Sequence, residues 1–161
     1  MNLFISSLAL SVGLSWTALK VFPKLGLMDR PHKYGLDRVP IPYPGGVAIA
    51  VAVIALIMTF LPIDRVLASV LLATVLLAVT CFIDDRKGLP PALRLAIQFI
   101  AGAMLVFGGI GIESVTNPLG GTISLGAYEY DINIGNISFT LTLLADILTV
   151  IWVMVMVNAF N

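Results

Sequence analysis

The sequence predicts an all-α, polytopic membrane protein with about five transmembrane helices and a small extracytoplasmic β-hairpin or irregular segment. Three observations predict it. Of 161 residues, 59% are hydrophobic and only 11% charged, where a soluble domain carries roughly 45–50% and ~25%; the mean hydropathy is +1.04. Five apolar stretches approach the ~20 residues a helix needs to cross a hydrocarbon core of ~30 Å. Between them lie segments rich in proline, glycine or charge. The formal net charge is zero, so nothing points to nucleic acid as a partner, and the placement of the charges matters more than their sum. The single Cys81, inside an apolar run, is silent on redox compartment.

The first helix is expected over residues 3–22. No basic residue precedes it and no small-x-small cleavage pattern precedes Lys20, so it reads as a retained helix rather than a secretory signal. Residues 23–44 carry Lys24, Arg30, His32, Lys33, Arg38 and five prolines, which block helix and remove backbone donors, so a loop is expected there. A second helix is expected over 45–61 and a third over 66–83. The short Pro62-Ile63-Asp64-Arg65 connection makes them antiparallel. Residues 84–92 read as the next loop, with Pro90-Pro91 suited to the first turn of a fourth helix over 93–112. Segment 113–140 is rich in Gly, Asn and Thr and has no basic residue. Its short alternating pieces at 122–125 and 128–134 suit a hairpin or an irregular lid. A fifth helix is expected over 141–157, and the whole chain is read as one membrane domain.

In this alternation Lys20, Lys24, Arg30, Lys33, Arg38, Arg86, Lys87 and Arg94 fall on one side, and Arg65 alone on the other. The positive-inside rule then places the N-terminus outside and loops 23–44 and 84–92 in the cytoplasm. Five crossings also bring Asn158-Ala159-Phe160-Asn161 to the cytoplasmic face.

Three polar clusters thus share that face. Asp84 and Asp85 end an apolar run, where a charge costs less than the ~2.5–3.5 kcal/mol it costs at mid-span. They could simply mark the interface beside Arg86 and Lys87. Paired carboxylates there could equally hold Mg²⁺, which takes one or two carboxylates plus substrate phosphates. Asn158 and Asn161 are at i and i+3, on one helix face, where they could cap the helix or reach phosphate oxygens, a metal shell or a sugar. Arg94 and Gln98 are i and i+4 on the fourth helix, and an arginine just inside a span often snorkels. Arg30, His32 and Lys33 supply loop charge. Asp146, some five residues into the fifth helix, is given no catalytic role.

Together these clusters resemble the polyprenyl-phosphate N-acetylhexosamine-1-phosphate transferases, glycosyltransferase family 4, which include the starters of teichoic acid and O-antigen synthesis and the muramoyl-pentapeptide transferase. The matching residues are Met28-Asp29-Arg30-Pro31-His32-Lys33, Pro42-Tyr43-Pro44-Gly45-Gly46, Ile83-Asp84-Asp85-Arg86-Lys87-Gly88-Leu89-Pro90, Arg94 with Gln98, Thr116-Asn117-Pro118-Leu119-Gly120-Gly121, and Asn158-Ala159-Phe160-Asn161. The resemblance implies transfer of N-acetylhexosamine 1-phosphate from a UDP-sugar to polyprenyl (undecaprenyl) phosphate, with release of UMP and a need for Mg²⁺, Mn²⁺ being an alternative. Its place would be the start of cell-wall or surface-polysaccharide synthesis.

The resemblance assigns Asp84 and Asp85 to metal and catalysis, Arg94 to a phosphate, Asn158 and Asn161 to the diphosphate or metal shell, and Lys33 with His32 to the nucleotide or lipid head. It also allows a homodimer. The first loop reads Pro31-His32-Lys33-Tyr34-Gly35 instead of the Arg-Lys-x-His order of the teichoic-acid and O-antigen starters. The proline-glycine and Arg-Lys-Gly-Leu-Pro segments look closer to the N-acetylglucosamine branch than to the muramoyl-pentapeptide one. Family members continue past the asparagine motif into an Asp-Gly-rich segment and further helices. The sequence is therefore read as the N-terminal half of such a protein, inactive alone. A transporter or channel piece, or a non-catalytic membrane subunit, is the rival reading; neither accounts for polar groups gathered at one face.

Overall fold

The computed structural model describes residues 2–29, 31–42, 45–134 and 137–159. Five helices dominate: α1 (Asn2–Val21), α2 (Gly45–Phe60), α3 (Arg65–Lys87), α4 (Pro91–Gly108) and α5 (Leu143–Ala159). Two antiparallel hairpins separate α4 from α5. The first pairs β1 (Ser114–Thr116) with β2 (Thr122–Ser124), and the second pairs β3 (Glu129–Ile134) with β4 (Ile137–Thr142). The mostly helical fold with a small β element is the class the sequence predicts. α1, α3 and α4 are long and apolar enough to cross a membrane by length and composition. α2 and α5 are apolar but have 16 and 17 residues, ~24–26 Å at 1.5 Å per residue. Those lengths fall short of a hydrocarbon core of ~30 Å.

Helix bounds shift by one or two residues elsewhere, α5 running Leu143–Ala159 and not 141–157, and the two larger differences from the sequence reading share one physical reason. The loop expected from residue 84 begins only at Gly88, because Asp84 to Lys87 stay helical as the last turn of α3. The fourth helix, expected to reach residue 112, stops at Gly108. Both helices end at a glycine with positive φ, Gly88 at 71° and Gly109 at 96°. A left-handed residue stops a helix whatever the polarity around it, whereas the sequence reading placed the ends where hydropathy changed.

The chain divides into two units, Met1–Ile63 with Ala78–Leu89, and Asp64–Leu77 with Pro90–Asn161. In the first, α1 packs on α2, and the buried helical apolar residues are small: Ala18, Ala48 and Ala52. In the second, α4 packs on α5. The buried face of α4 carries Gln98, Ala101 and Gly102 at helical spacing, and that of α5 carries Ala145 and Thr149. Large apolar side chains point the other way: Leu8, Val12 and Trp16 of α1, Phe99 of α4, and Ile147, Ile151 and Trp152 of α5 are all exposed. Alanine inside with leucine, isoleucine and tryptophan outside reverses the pattern of a water-soluble protein. It is what helices need when their solvent is lipid and only close backbone approach holds them together.

Hydroxyls on the lipid-facing helices are satisfied locally. Thr17 donates to the Gly13 carbonyl at 2.7 Å and Thr59 to the Ala55 carbonyl at 2.6 Å, so neither brings an unpaired donor into hydrocarbon. Lys20 lies over the Trp16 ring, 3.6 Å from its centre, an amphipathic pairing suited to a helix end at the interface.

Gly102 sets the α4–α5 separation, since a Cβ there would stand 3.1 Å from Val150 Cα. Gly102→Leu is expected to lower the stability of detergent-solubilised protein by about 1–3 kcal/mol through overpacking. Gly13→Leu, with nothing within 4 Å of its would-be Cβ, should leave the thermal unfolding midpoint in place. Equal midpoints for both variants would refute the close approach.

Candidate functional site

Asp84 and Asp85 occupy the last turn of α3, with Arg86 and Lys87 beside them. Asp84 ends its own helix: its backbone carbonyl accepts the Gly88 N–H at 2.7 Å, and its Oδ1 accepts the Leu89 N–H at 2.6 Å. The side chain thus takes a bond that a backbone carbonyl takes in the usual glycine-terminated helix end. Asp84 is half-buried and Asp85 exposed. A helix C-terminus carries the negative end of the macrodipole, so two carboxylates there are destabilised by roughly 0.3–1 kcal/mol each unless a cation is near. Arg86 and Lys87 answer part of that demand, though the Arg86 guanidinium also stacks 5.8 Å from the Phe82 ring.

The loop between α1 and α2 is closed by Asp29. Its N–H donates to the Ile41 carbonyl at 2.9 Å, its Oδ1 accepts the Ile41 N–H at 2.7 Å, and its Oδ2 pairs with Arg38. Met28 and Pro42 add a one-residue antiparallel bridge. The clasp ties together two points twelve residues apart and isolates the turn Pro31–Tyr34. That turn is anchored by the fully buried Pro31, and its His32 is exposed. Lys33 lies in the same turn; Arg30 and the Tyr43-Pro44 pair lie outside the described residues.

In the second unit the structure joins two residues that the sequence reading kept apart. Asn158 Nδ2 donates to Gln98 Oε1 at 2.5 Å and to the Met154 carbonyl at 2.8 Å. Gln98 is 4% exposed, so its amide is a buried polar group in the α4–α5 seam with Asn158 as its partner. Arg94 lies one turn nearer the start of α4 and is half-buried. Asn161 lies outside the described residues.

The far end of this unit is built differently. A cavity of about 450 Å³ is lined by Arg65, Glu113, Glu129 and Asp146 among others. Arg65 donates to the Phe107 carbonyl at 2.5 Å, and Phe107 meets Phe139 edge-to-face at 5.0 Å, seating the second hairpin on α4. Asp146 Oδ2 accepts the Thr142 N–H at 2.7 Å, so its role there is to cap the start of α5. Thr149 Oγ1 accepts the Ile112 N–H at 2.8 Å and donates to the Ala145 carbonyl at 2.7 Å, carrying the chain out of α4 without an orphaned donor.

Asp29 stood in the loop motif but had no role in the sequence reading, because a bond to a residue twelve positions away leaves no local pattern. The signal available was an acid in a proline-rich loop whose backbone has no helix or sheet to pair with. Loss of a hydrogen bond to a charged group costs about 1.5–3 kcal/mol. Asp29→Ala is therefore expected to speed hydrogen exchange of the Ile41 amide by more than about tenfold, with α1 and α2 amides unchanged. An unchanged Ile41 rate would show that the clasp does not hold the loop.

Residues 67–161 match the family described as glycosyl transferase family 4, more than half of the 161-residue chain. No curated protein and no solved structure matches. That family implies, in general terms, transfer of a sugar 1-phosphate to a polyprenyl phosphate, an activity suited to a protein whose helices present large apolar side chains outward and gather Asp84 and Asp85 at a helix end. The chain belongs to glycosyl transferase family 4.

Proposed function

We propose that the protein transfers an N-acetylhexosamine 1-phosphate, of the N-acetylglucosamine type, from a UDP-sugar to polyprenyl phosphate at the cytoplasmic face of the membrane. This would start a cell-wall or surface polysaccharide. An oxygen of the lipid phosphate attacks the sugar-bearing phosphorus, the bond to the bridging oxygen breaks, and UMP leaves with that oxygen. The cytoplasmic side is supported by the distribution of Lys and Arg, which leaves Arg65 alone on the opposite side. One substrate is a lipid and the other a soluble anion, so a meeting point at the interface is a chemical requirement.

The observation that carries this reading is the carboxylate pair on the last turn of α3, at the negative end of the helix dipole. Two anionic substrates would be repelled by such a pair unless a cation lies between. Asp84 and Asp85 offer two adjacent carboxylates of hard oxygen donors. That combination fits Mg²⁺, or Mn²⁺ in its place, which takes one or two carboxylates and completes its shell with phosphates and water. When bound, such an ion supplies charge neutralisation for the phosphoryl group and the departing UMP.

Asp84 and Asp85 hold and orient; a base is a secondary role, because a phosphate monoester with a second pKa of ~6 is largely deprotonated at neutral pH. Arg94, in the first turns of α4, is the donor suited to a phosphate oxygen. His32 and Lys33, on the turn closed by Asp29, are assigned to the nucleotide or lipid head. Asn158, and Asn161 three residues on, are assigned to the diphosphate or the metal shell.

The test is an assay of the intact gene product in membranes with labelled UDP-N-acetylglucosamine and polyprenyl phosphate. Lipid-linked product is expected with Mg²⁺ and is expected to vanish with a chelator. Asp84→Asn and Asp85→Asn should each abolish product at unchanged expression. Wild-type rates in both variants would sink the assignment, and product formed in full without divalent metal would sink the metal's part in it.

A further inference from the structure

We propose that Gln98 is a positioning residue for Asn158: it fixes the side-chain amide so that the carbonyl oxygen, and not the amino group, is presented to whatever Asn158 meets in the reaction. The inference rests on the reading that places Asn158 at the substrates or the metal shell.

An asparagine amide has two N–H donors and one carbonyl oxygen. Both bonds given to Asn158 leave from Nδ2, one to Gln98 Oε1 at 2.5 Å and one to the Met154 carbonyl at 2.8 Å. With both hydrogens committed, Asn158 Oδ1 is left as the atom for a third partner, and that partner has to be a donor or a cation. A phosphate oxygen, itself an acceptor, could be met only by giving up the Met154 bond. The Met154 bond is local, four residues back on the same helix, and an asparagine rotated about its terminal torsion could form or forgo it. Gln98 decides the matter because it comes from α4 and, at 4% exposed, has little access to solvent. If Asn158 turned its oxygen toward Gln98, two acceptors would face each other or the glutamine would have to rotate as well.

The neighbourhood supports a fixed glutamine. Ala101 at 0% exposure and Gly102 continue the same buried face of α4, and the would-be Cβ of Gly102 stands 3.1 Å from Val150 Cα. The α4–α5 seam is thus close enough for the short glutamine-asparagine contact. Gln98 does not reach reacting atoms by this argument; it acts through Asn158.

The experiment compares Gln98→Leu, Gln98→Met, Gln98→Glu and Asn158→Ala in the intact gene product. Leu and Met keep the apolar volume and lose the acceptor, whereas Glu keeps an acceptor oxygen at the same reach. The expected result is a fall in kcat of roughly 10–100-fold for Leu and Met, the range seen when a partner that orients a liganding group is lost. KM for the UDP-sugar should change little, and Glu should restore kcat to within a few-fold. A second readout is independent of turnover. With asparagine labelled by ¹⁵N, the Asn158 side-chain amide, identified by its loss in Asn158→Ala, should show slowed hydrogen exchange in the wild type and in Gln98→Glu and fast exchange in Gln98→Leu.

Wild-type turnover in Asn158→Ala would overturn the assignment of Asn158 itself. An inactive Asn158→Ala beside fully active Gln98→Leu and Gln98→Met would overturn the positioning role alone. Equal loss of kcat and of amide protection in Glu, Leu and Met would overturn the stated orientation, because a donor and not an acceptor would then be what position 98 supplies.

Discussion

The structure depends on one constraint: in lipid, helices gain nothing by hiding apolar side chains from one another, and a polar group has no water to fall back on. Attraction between helices must then come from close approach. Ala101, Gly102 and Ala145 in the α4–α5 seam, and Ala18, Ala48 and Ala52 in the first unit, are the residues that allow it. The same constraint governs the polar residues. Thr17 and Thr59 turn back on their own helices, and Thr149 both accepts from Ile112 and donates to Ala145. An interhelical hydrogen bond in a membrane is worth only ~0.6 kcal/mol on average, so stability alone is a weak reason to place Gln98 opposite Asn158. A leucine at 98 would fill the seam with no polar partner to satisfy. What the pair supplies beyond stability is the orientation it imposes on the Asn158 amide.

The ends of helices carry the rest of the polar chemistry, for the same reason. α3 keeps its helical bonding through Asp84 and Asp85 despite the low helix propensity of aspartate, and it stops where Gly88 takes a φ of 71°. The Asp84 side chain then accepts the Leu89 N–H, which leaves no unpaired donor at the turn. Pro91 opens α4 as its first residue, where its missing N–H is of no consequence. A three-residue link thus joins a helix end that is negative by dipole and by side chain to a helix start that is positive, with Arg94 in its first turns.

The helices were legible because lipid imposes a length and a hydropathy that any apolar run displays, and the exclusion of a soluble fold followed from 11% charge. The hairpins were partly legible: alternation at 122–125 and 128–134 marked strands β2 and β3, while β1 and β4 were too short or too close to α5 to separate from it. Helix ends were read from polarity and so misplaced at Asp84 and after Gly108. The signal that would have placed them was glycine, which here sets both stops. Within the candidate site, residue types and sidedness could be read, but partners could not. Asp29 to Ile41 spans twelve residues and Gln98 to Asn158 sixty, and no periodicity connects positions so far apart. Gln98 stood out for its spacing from Arg94 and its place in the family resemblance, whereas its bond runs to another helix.

Sorted by what they can offer a phosphate, the proposed residues divide into two kinds. Arg94, His32 and Lys33 can donate. Asp84, Asp85 and the Oδ1 of Asn158 can only accept, and they stand near the C-terminal ends of α3 and α5, where backbone carbonyls accept as well. Phosphates settle by preference at helix N-termini, where N–H groups and the positive dipole end meet them. A phosphate brought to the acceptors on the last turn of α3 would be repelled by side chain and backbone alike, which is why the proposed function includes a divalent cation there. Within the second unit, Asn158 differs from the donors because Gln98 and the Met154 carbonyl hold its two hydrogens, which leaves Oδ1 as the atom it offers.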